Sequence, residues 1–138
     1  MYQGSCLCQA VRFEIAGELA PIQVCHCSQC RKAQGGPFAT NIPVDQAAFR
    51  LLSGQALLKA FESSPGKRRV FCGDCGSPLY SQSRLVPGVL RVRAGSLDGV
   101  LETALLGHAY VGSKANWWPL TDELPQFVEG RGASPAER

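Results

Sequence analysis

The sequence predicts a mainly β, single-domain fold pinned by zinc knuckles and carrying one short helix. Three observations lead there. Fifteen glycines and nine prolines cut the 138 residues into short segments. The apolar stretches between them alternate or are rich in β-branched and aromatic residues, as half-buried strands require. Seven cysteines gather in three clusters, Cys6-Leu7-Cys8, Cys25-His26-Cys27-Ser28-Gln29-Cys30 and Cys72-Gly73-Asp74-Cys75. A chain of this length can bury a real core, yet it is small enough for a structural metal to add much to its stability.

Along the chain, residues 11–15 (Val-Arg-Phe-Glu-Ile) alternate strictly and read as a strand. The middle cysteine cluster opens a short helix expected over 29–34, with Ser28 as its cap and Gly35-Gly36-Pro37 as its stop. The positive end of such a helix favours thiolate over thiol. Residues 49–52 and 57–61 flank Ser53-Gly54-Gln55, which together predict a hairpin. Residues 68–71 lead into the third cysteine pair and 78–81 lead away from it. Leu90-Arg91-Val92-Arg93 alternates again, so Arg91 and Arg93 share a face, expected to be solvated and able to hold a carboxylate. Lys67-Arg68-Arg69 reads as a solvated strand end, and Trp117-Trp118 and His108 as core or as lining for a pocket. Residues 129–138 mix Gly, Ser, Pro, Ala and charge without periodicity, predicting a flexible C-terminal tail behind a zinc-binding domain over 1–128.

The grouping of the cysteines carries the chemistry. Thiolates two or three residues apart can close on one tetrahedral ion, whereas disulfide partners are usually spread along a chain. Cys72-x-x-Cys75 followed by Gly76 is a knuckle turn, and Cys6 with Cys8 supplies two further sulfurs, so these four are assigned to a closed structural zinc. That site ties the N-terminus to a strand pair more than sixty residues later and couples metal binding to folding. Cys25, Cys27 and Cys30 remain, three thiolates without a fourth cysteine. His26, lying between two of them, is expected to project away, leaving an open coordination position for water or a substrate thiol or oxygen. Two competing readings stay open: Cys27-Ser-Gln-Cys30 as a redox pair, and all seven thiolates as purely structural ligands.

Composition narrows the partners. A net charge of +3, without clustered Lys/Arg and interleaved aromatics, gives no reason to expect nucleic acid or an acidic membrane. No basic segment followed by an apolar run stands at the N-terminus, and no stretch approaches membrane-spanning length. Reduced thiolates persist most easily in the cytoplasm, which is the expected compartment. Oligomeric state is not set by anything in the sequence.

The three-part cysteine pattern, with Gly4-Ser-Cys-Leu-Cys8, Cys25-His-Cys-Ser-Gln-Cys-Arg-Lys32, Gly36-Pro-Phe38, Phe71-Cys-Gly-Asp-Cys-Gly-Ser77, Arg93-Ala-Gly-Ser-Leu-Asp98 and the segment 108–127, resembles the glutathione-dependent formaldehyde-activating enzyme family, also called the centromere-protein-V type. Asn116, in Lys114-Ala-Asn-Trp117, departs from the proline expected there and touches a loop, not a ligand. The resemblance implies an all-β, tent-like fold with two zincs per chain. It implies a structural zinc on Cys6, Cys8, Cys72 and Cys75 and a catalytic zinc on Cys25, Cys27 and Cys30. It also implies the family's founding activity, condensation of formaldehyde with glutathione to S-hydroxymethylglutathione, a carbon–sulfur lyase reaction in reverse. A second class of function, a zinc-stabilised non-catalytic binding module, fits the same structural ligands.

Overall fold

The computed structural model describes residues 1–130. It is mainly β, as predicted, with ten strands and one α-helix among the described residues. The described residues gather into two compact units, one formed by 1–20 and 42–103, the other by 21–41 and the described residues from 104 on.

In the first unit, β1 (Tyr2–Ser5), β2 (Arg12–Ile15) and β5 (Phe49–Ser53) make a three-stranded antiparallel sheet in the order β1-β2-β5. Strict alternation in β2 does what period two requires: Phe13 and Ile15 are buried and Arg12 is exposed. Phe13 stacks on Phe49 at 4.9 Å between ring centroids. The same unit holds β6 (Leu58–Ser64), β7 (Lys67–Cys72), β8 (Pro78–Ser83) and β9 (Val89–Arg93), successive neighbours in the order β9-β8-β7-β6. Strands β7 and β8 form an antiparallel hairpin whose connection is the third cysteine cluster.

The second unit holds β3 (Ile22–Cys25), α1 (Ser28–Gln34), the first residues of β4 (Ala39–Asp45) and β10 (Leu105–Ala109). Here β3 lies between β10, to which it runs parallel, and β4, to which it is antiparallel. Gly35 ends α1 in the left-handed conformation at φ 66°, and its N–H donates to the Arg31 carbonyl at 2.9 Å.

Several expectations need correction. The α1 cap is Cys27, not Ser28: its Sγ accepts from Cys30 N–H at 3.3 Å, so the helix begins one residue early. Residues 49–61 are not a hairpin. β5 pairs with β2 and β6 with β7, because Gly54, at φ 82°, lets the chain turn between two different strand partners. A side chain at Gly54 would press on the Ala10 carbonyl at 2.5 Å, so the close approach itself demands glycine. Arg91 and Arg93 share a face as read, but that face is buried, as is the opposite one carrying Leu90 and Val92. In the Lys67–Arg69 run Lys67 is half-buried and only Arg68 is exposed, while Arg69 is buried with its Nε–H donating to Ser63 Oγ at 3.0 Å. Of the expected tail, residues 131–138 lie outside the described residues; the Gly130 carbonyl accepts from Tyr110 N–H at 3.2 Å.

Candidate functional site

In the first unit the four sulfurs of Cys6, Cys8, Cys72 and Cys75 lie within 4.8 Å of one another. The turn after β1 delivers the first two. Gln9 N–H donates to the Cys6 carbonyl at 3.0 Å, and Gln9 takes the left-handed conformation at φ 65° to bring the chain round. The β7–β8 hairpin delivers the other two, closed by Gly76 N–H on the Cys72 carbonyl at 2.8 Å, with Gly76 at φ 79°. Both turns therefore place one left-handed residue directly after their second cysteine. Leu7 N–H donates to Ser77 Oγ at 2.9 Å and locks one turn to the other.

The separations fit zinc. A tetrahedron with Zn–S bonds of about 2.3 Å has S···S edges of about 3.8 Å; Cys6 and Cys8 are 3.5 Å apart and Cys8 and Cys72 3.9 Å. Thiols this crowded cannot all ionise alone. Ser77 Oγ–H and the Cys8 and Ser77 N–H groups hold Cys75 down at about 5. The Ala10 N–H favours the Cys8 thiolate, but the sulfurs of Cys6, Cys75 and Cys72, with burial, push it up to about 12. Burial, and less so Cys75, opposes ionisation of Cys6, yet the Val11 N–H, 3.3 Å from its Sγ, and the Cys8 and Cys72 thiols leave it below its ordinary value. A dication relieves the repulsion that keeps such a set partly protonated.

In the second unit Cys25, Cys27 and Cys30 form a group of three, within the same 4.8 Å limit. Cys25 ends β3, Cys27 caps α1 and Cys30 sits in its first turn. Cys25 and Cys30 are buried and pack with Ala39, while Cys27 is half-buried and gives the group its open side. The side chains of Cys27 and Cys30, with burial, push the Cys25 thiol up. The expected partition into four and three sulfurs is thus present in space, and His26 belongs to neither group.

His26 instead leads away from the thiols, and its ring is fully buried at 0% exposure. Its Nε2 lies 2.9 Å from His108 Nδ1, and His108 Nε2 lies 2.9 and 3.1 Å from the two carboxylate oxygens of Asp122. Burial, then repulsion from His108 and Lys114, lowers the His26 pKa, opposed by Asp122. Phe38 meets the His26 ring edge-on at 5.3 Å, and Trp118 meets Phe38 at 5.7 Å. His108 is therefore core, whereas Trp117 is 62% exposed. Asp122 was missed by the sequence reading: it stands fourteen residues from His108 in a Pro-rich segment without periodicity. No helix among the described residues is long and apolar enough to cross a membrane.

Comparison with known proteins places these features. The model of the family described as "Glutathione-dependent formaldehyde-activating enzyme" matches residues 1–113. A Halomonas elongata protein named "Putative glutathione-dependent formaldehyde-activating enzyme" is 33% identical over 109 residues, covering 73% of this chain and 68% of that protein. A Schizosaccharomyces pombe protein named an uncharacterized lyase is 30% identical over 79 residues, 57% of this chain and 56% of that protein. A Rhodobacter sphaeroides crystal structure superposes with a TM-score of 0.61 at 27% identity, covering 75% of this chain and 98% of the other.

Proposed function

The chain belongs to the glutathione-dependent formaldehyde-activating enzyme family, and on that premise we propose that it is a zinc-dependent carbon–sulfur lyase that forms or cleaves the adduct of a small thiol and an aldehyde. Glutathione and formaldehyde are the proposed pair, and the cytoplasm, where thiolates stay reduced, the proposed compartment. The observation that carries this reading is that one thiol group offers four sulfurs and the other three. Cys6, Cys8, Cys72 and Cys75 are assigned to a structural zinc, and Cys25, Cys27 and Cys30 to a catalytic one. When bound to those three, zinc supplies a Lewis acid with a free position, able to lower the pKa of a thiol or polarise a carbonyl.

The chain's own contribution is to hold the three sulfurs and limit access to them. Cys30 N–H donates to Cys27 Sγ, His26 N–H donates to the Ala109 carbonyl at 2.9 Å, and Arg31 Nε–H donates to the Ser113 carbonyl at 3.1 Å. Three bonds thus fix the segment that carries all three thiols. Burial of Cys25 and Cys30 with Ala39 keeps water from one side, so substrates approach along the half-buried Cys27. The reaction balances without redox change. A carbon–sulfur bond forms, the carbonyl π bond opens onto oxygen, and the thiol proton ends on that oxygen; cleavage runs the same transfers backward. Fixing two small substrates together removes much of the entropic barrier to their meeting. The functional domain is proposed to extend through residue 128, past the family match. Phe127 N–H donates to the His108 carbonyl and Gly112 N–H to the Val128 carbonyl, at 2.9 and 3.1 Å.

Cys27→Ser tests this reading. The serine oxygen still caps α1, while the thiolate ligand is lost. Adduct turnover should fall about a hundredfold or more, with the melting temperature lowered by only a few degrees. Unchanged turnover in a folded C27S protein removes chemistry from this group and leaves the zinc-stabilised binding module.

A further inference from the structure

The hydrogen bonds from Asp122 through His108 to His26 join three residues, none of which is a thiol. They nonetheless end on the residue that separates Cys25 from Cys27. Their direction follows from simple chemistry. An ionised carboxylate only accepts, so His108 donates from Nε2–H to Asp122, whose side chain is 41% exposed. A neutral His108 then has only a lone pair on Nδ1, and His26 must donate to it from Nε2–H at 2.9 Å. His26 Nδ1 is left with a lone pair. A second observation agrees: His26 Nδ1 is buried and has no hydrogen-bond partner among the described residues. A proton on that nitrogen would be an orphaned buried donor, whereas an unshared lone pair is the cheaper of the two defects.

The chain of bonds is also anchored at its outer end. Asp122 Oδ1 accepts from Leu124 N–H at 3.0 Å, and His108 N–H donates to the Pro125 carbonyl at 2.8 Å. At the inner end His26 is held twice, by ring and by backbone, to the neighbours His108 and Ala109 of β10. Rotation of the His26 ring would therefore break its bond to His108, and movement of its backbone, which joins Cys25 to Cys27, would break its bond to Ala109.

We propose that Asp122 and His108 are positioning residues: through two hydrogen bonds in series they hold His26, and with it the backbone joining Cys25 to Cys27, in the setting that lets both thiolates meet one ion. The proposal rests on the reading of Cys25, Cys27 and Cys30 as the working metal group. Residues that orient metal ligands from behind typically change metal retention or activity by about 10–100-fold when removed.

The zinc-loaded full chain carries only two histidines, so long-range ¹H–¹⁵N NMR can read both rings without ambiguity. Both should carry their proton on Nε2. In Asp122→Ala the His26 nitrogens should shift, although the mutated carboxylate is two bonds of the chain away. Zinc release to a chelator should quicken about tenfold for one of the two ions and stay unchanged for the other. Asp122→Glu, which restores an acceptor, should recover the wild-type ring signals and slow release. A role confined to the Leu124 turn would move neither the His26 signals nor the release of one ion alone. His26 protonated on Nδ1 in the wild type, or an Asp122→Ala protein with unmoved His26 signals and unmoved zinc release, overturns the proposal. If D122A does not fold, the wild-type ring assignment and D122E decide alone. Absence of turnover in the wild type would sink the proposed reaction, while the ring and release measurements would still judge the chain of bonds.

Discussion

The two thiol groups are built by different means. The four-sulfur group joins two tight turns whose sequence positions lie more than sixty residues apart, each turned by a left-handed residue after its second cysteine. The three-sulfur group comes from one continuous segment, the end of β3 and the first turn of α1, held from behind by β10 and the turn after it. Closing a long loop restrains the unfolded chain, so metal at the first group should count mostly as folding free energy. Metal at the second restrains six residues already held by hydrogen bonds. The first group is therefore suited to stability and the second to exchange of a ligand.

The largest test of that contrast is Cys72→Ala. Cys72 is fully buried and its N–H donates to the Ser77 carbonyl at 3.0 Å, so the backbone turn survives while one ligand goes. Structural zinc sites contribute about 10–16 kcal/mol, as much as the roughly 5–15 kcal/mol that separates a whole domain from its unfolded state. The variant should be unfolded at 25 °C by circular dichroism, whereas C27S should keep a cooperative melt. Two variants melting within about 5 °C of each other would erase the distinction between the groups.

How much of this was legible in the sequence follows from range. Ligand spacing is local, so the partition into Cys6, Cys8, Cys72, Cys75 and Cys25, Cys27, Cys30 could be read directly, and both groups exist in space. Alternation told which residues of β9 share a face but not what covers it, and Arg91 and Arg93 turned out buried. The 49–61 hairpin failed because turn chemistry at Gly54 was right while strand pairing is decided by distant partners, β2 and β7. A cysteine as helix cap was overlooked because sulfur is a weak acceptor beside serine oxygen, yet Cys27 Sγ holds the Cys30 N–H. Asp122 had no local signal, since its role depends on a loop returning to His108.

A smaller pair of substitutions sharpens the comparison. Gly76 follows the closed group and Gly35 ends the helix of the open one; their φ angles are 79° and 66°, and an added Cβ meets nothing within 4 Å at either. Gly→Ala should therefore cost each turn about 1–2 kcal/mol of backbone strain and little else. If metal at the first group carries more of the folding free energy, G76A should also weaken zinc retention there, while G35A leaves both ions held. Isothermal competition with a chelator reads that difference, and equal retention in the two variants would show the knuckle to be no stiffer than the helix end.

The smallest effect concerns acid. The His108 hydrogen bond, then the Leu124 N–H, holds the Asp122 carboxyl below its ordinary value. A carboxyl whose folded pKa lies below its unfolded value stabilises the fold above the unfolded value, near 3.9, and loses that contribution as pH falls through the folded one. The melting temperatures of wild type and D122A should accordingly differ by a constant amount above about pH 5 and converge below about pH 4. Thiolates lose metal as they gain protons, so both proteins will also weaken together in acid; the difference between them isolates the carboxylate. A gap that widened on acidification would mean that Asp122 is held protonated in the fold, and the direction of the hydrogen bonds to His26 would have to be reversed.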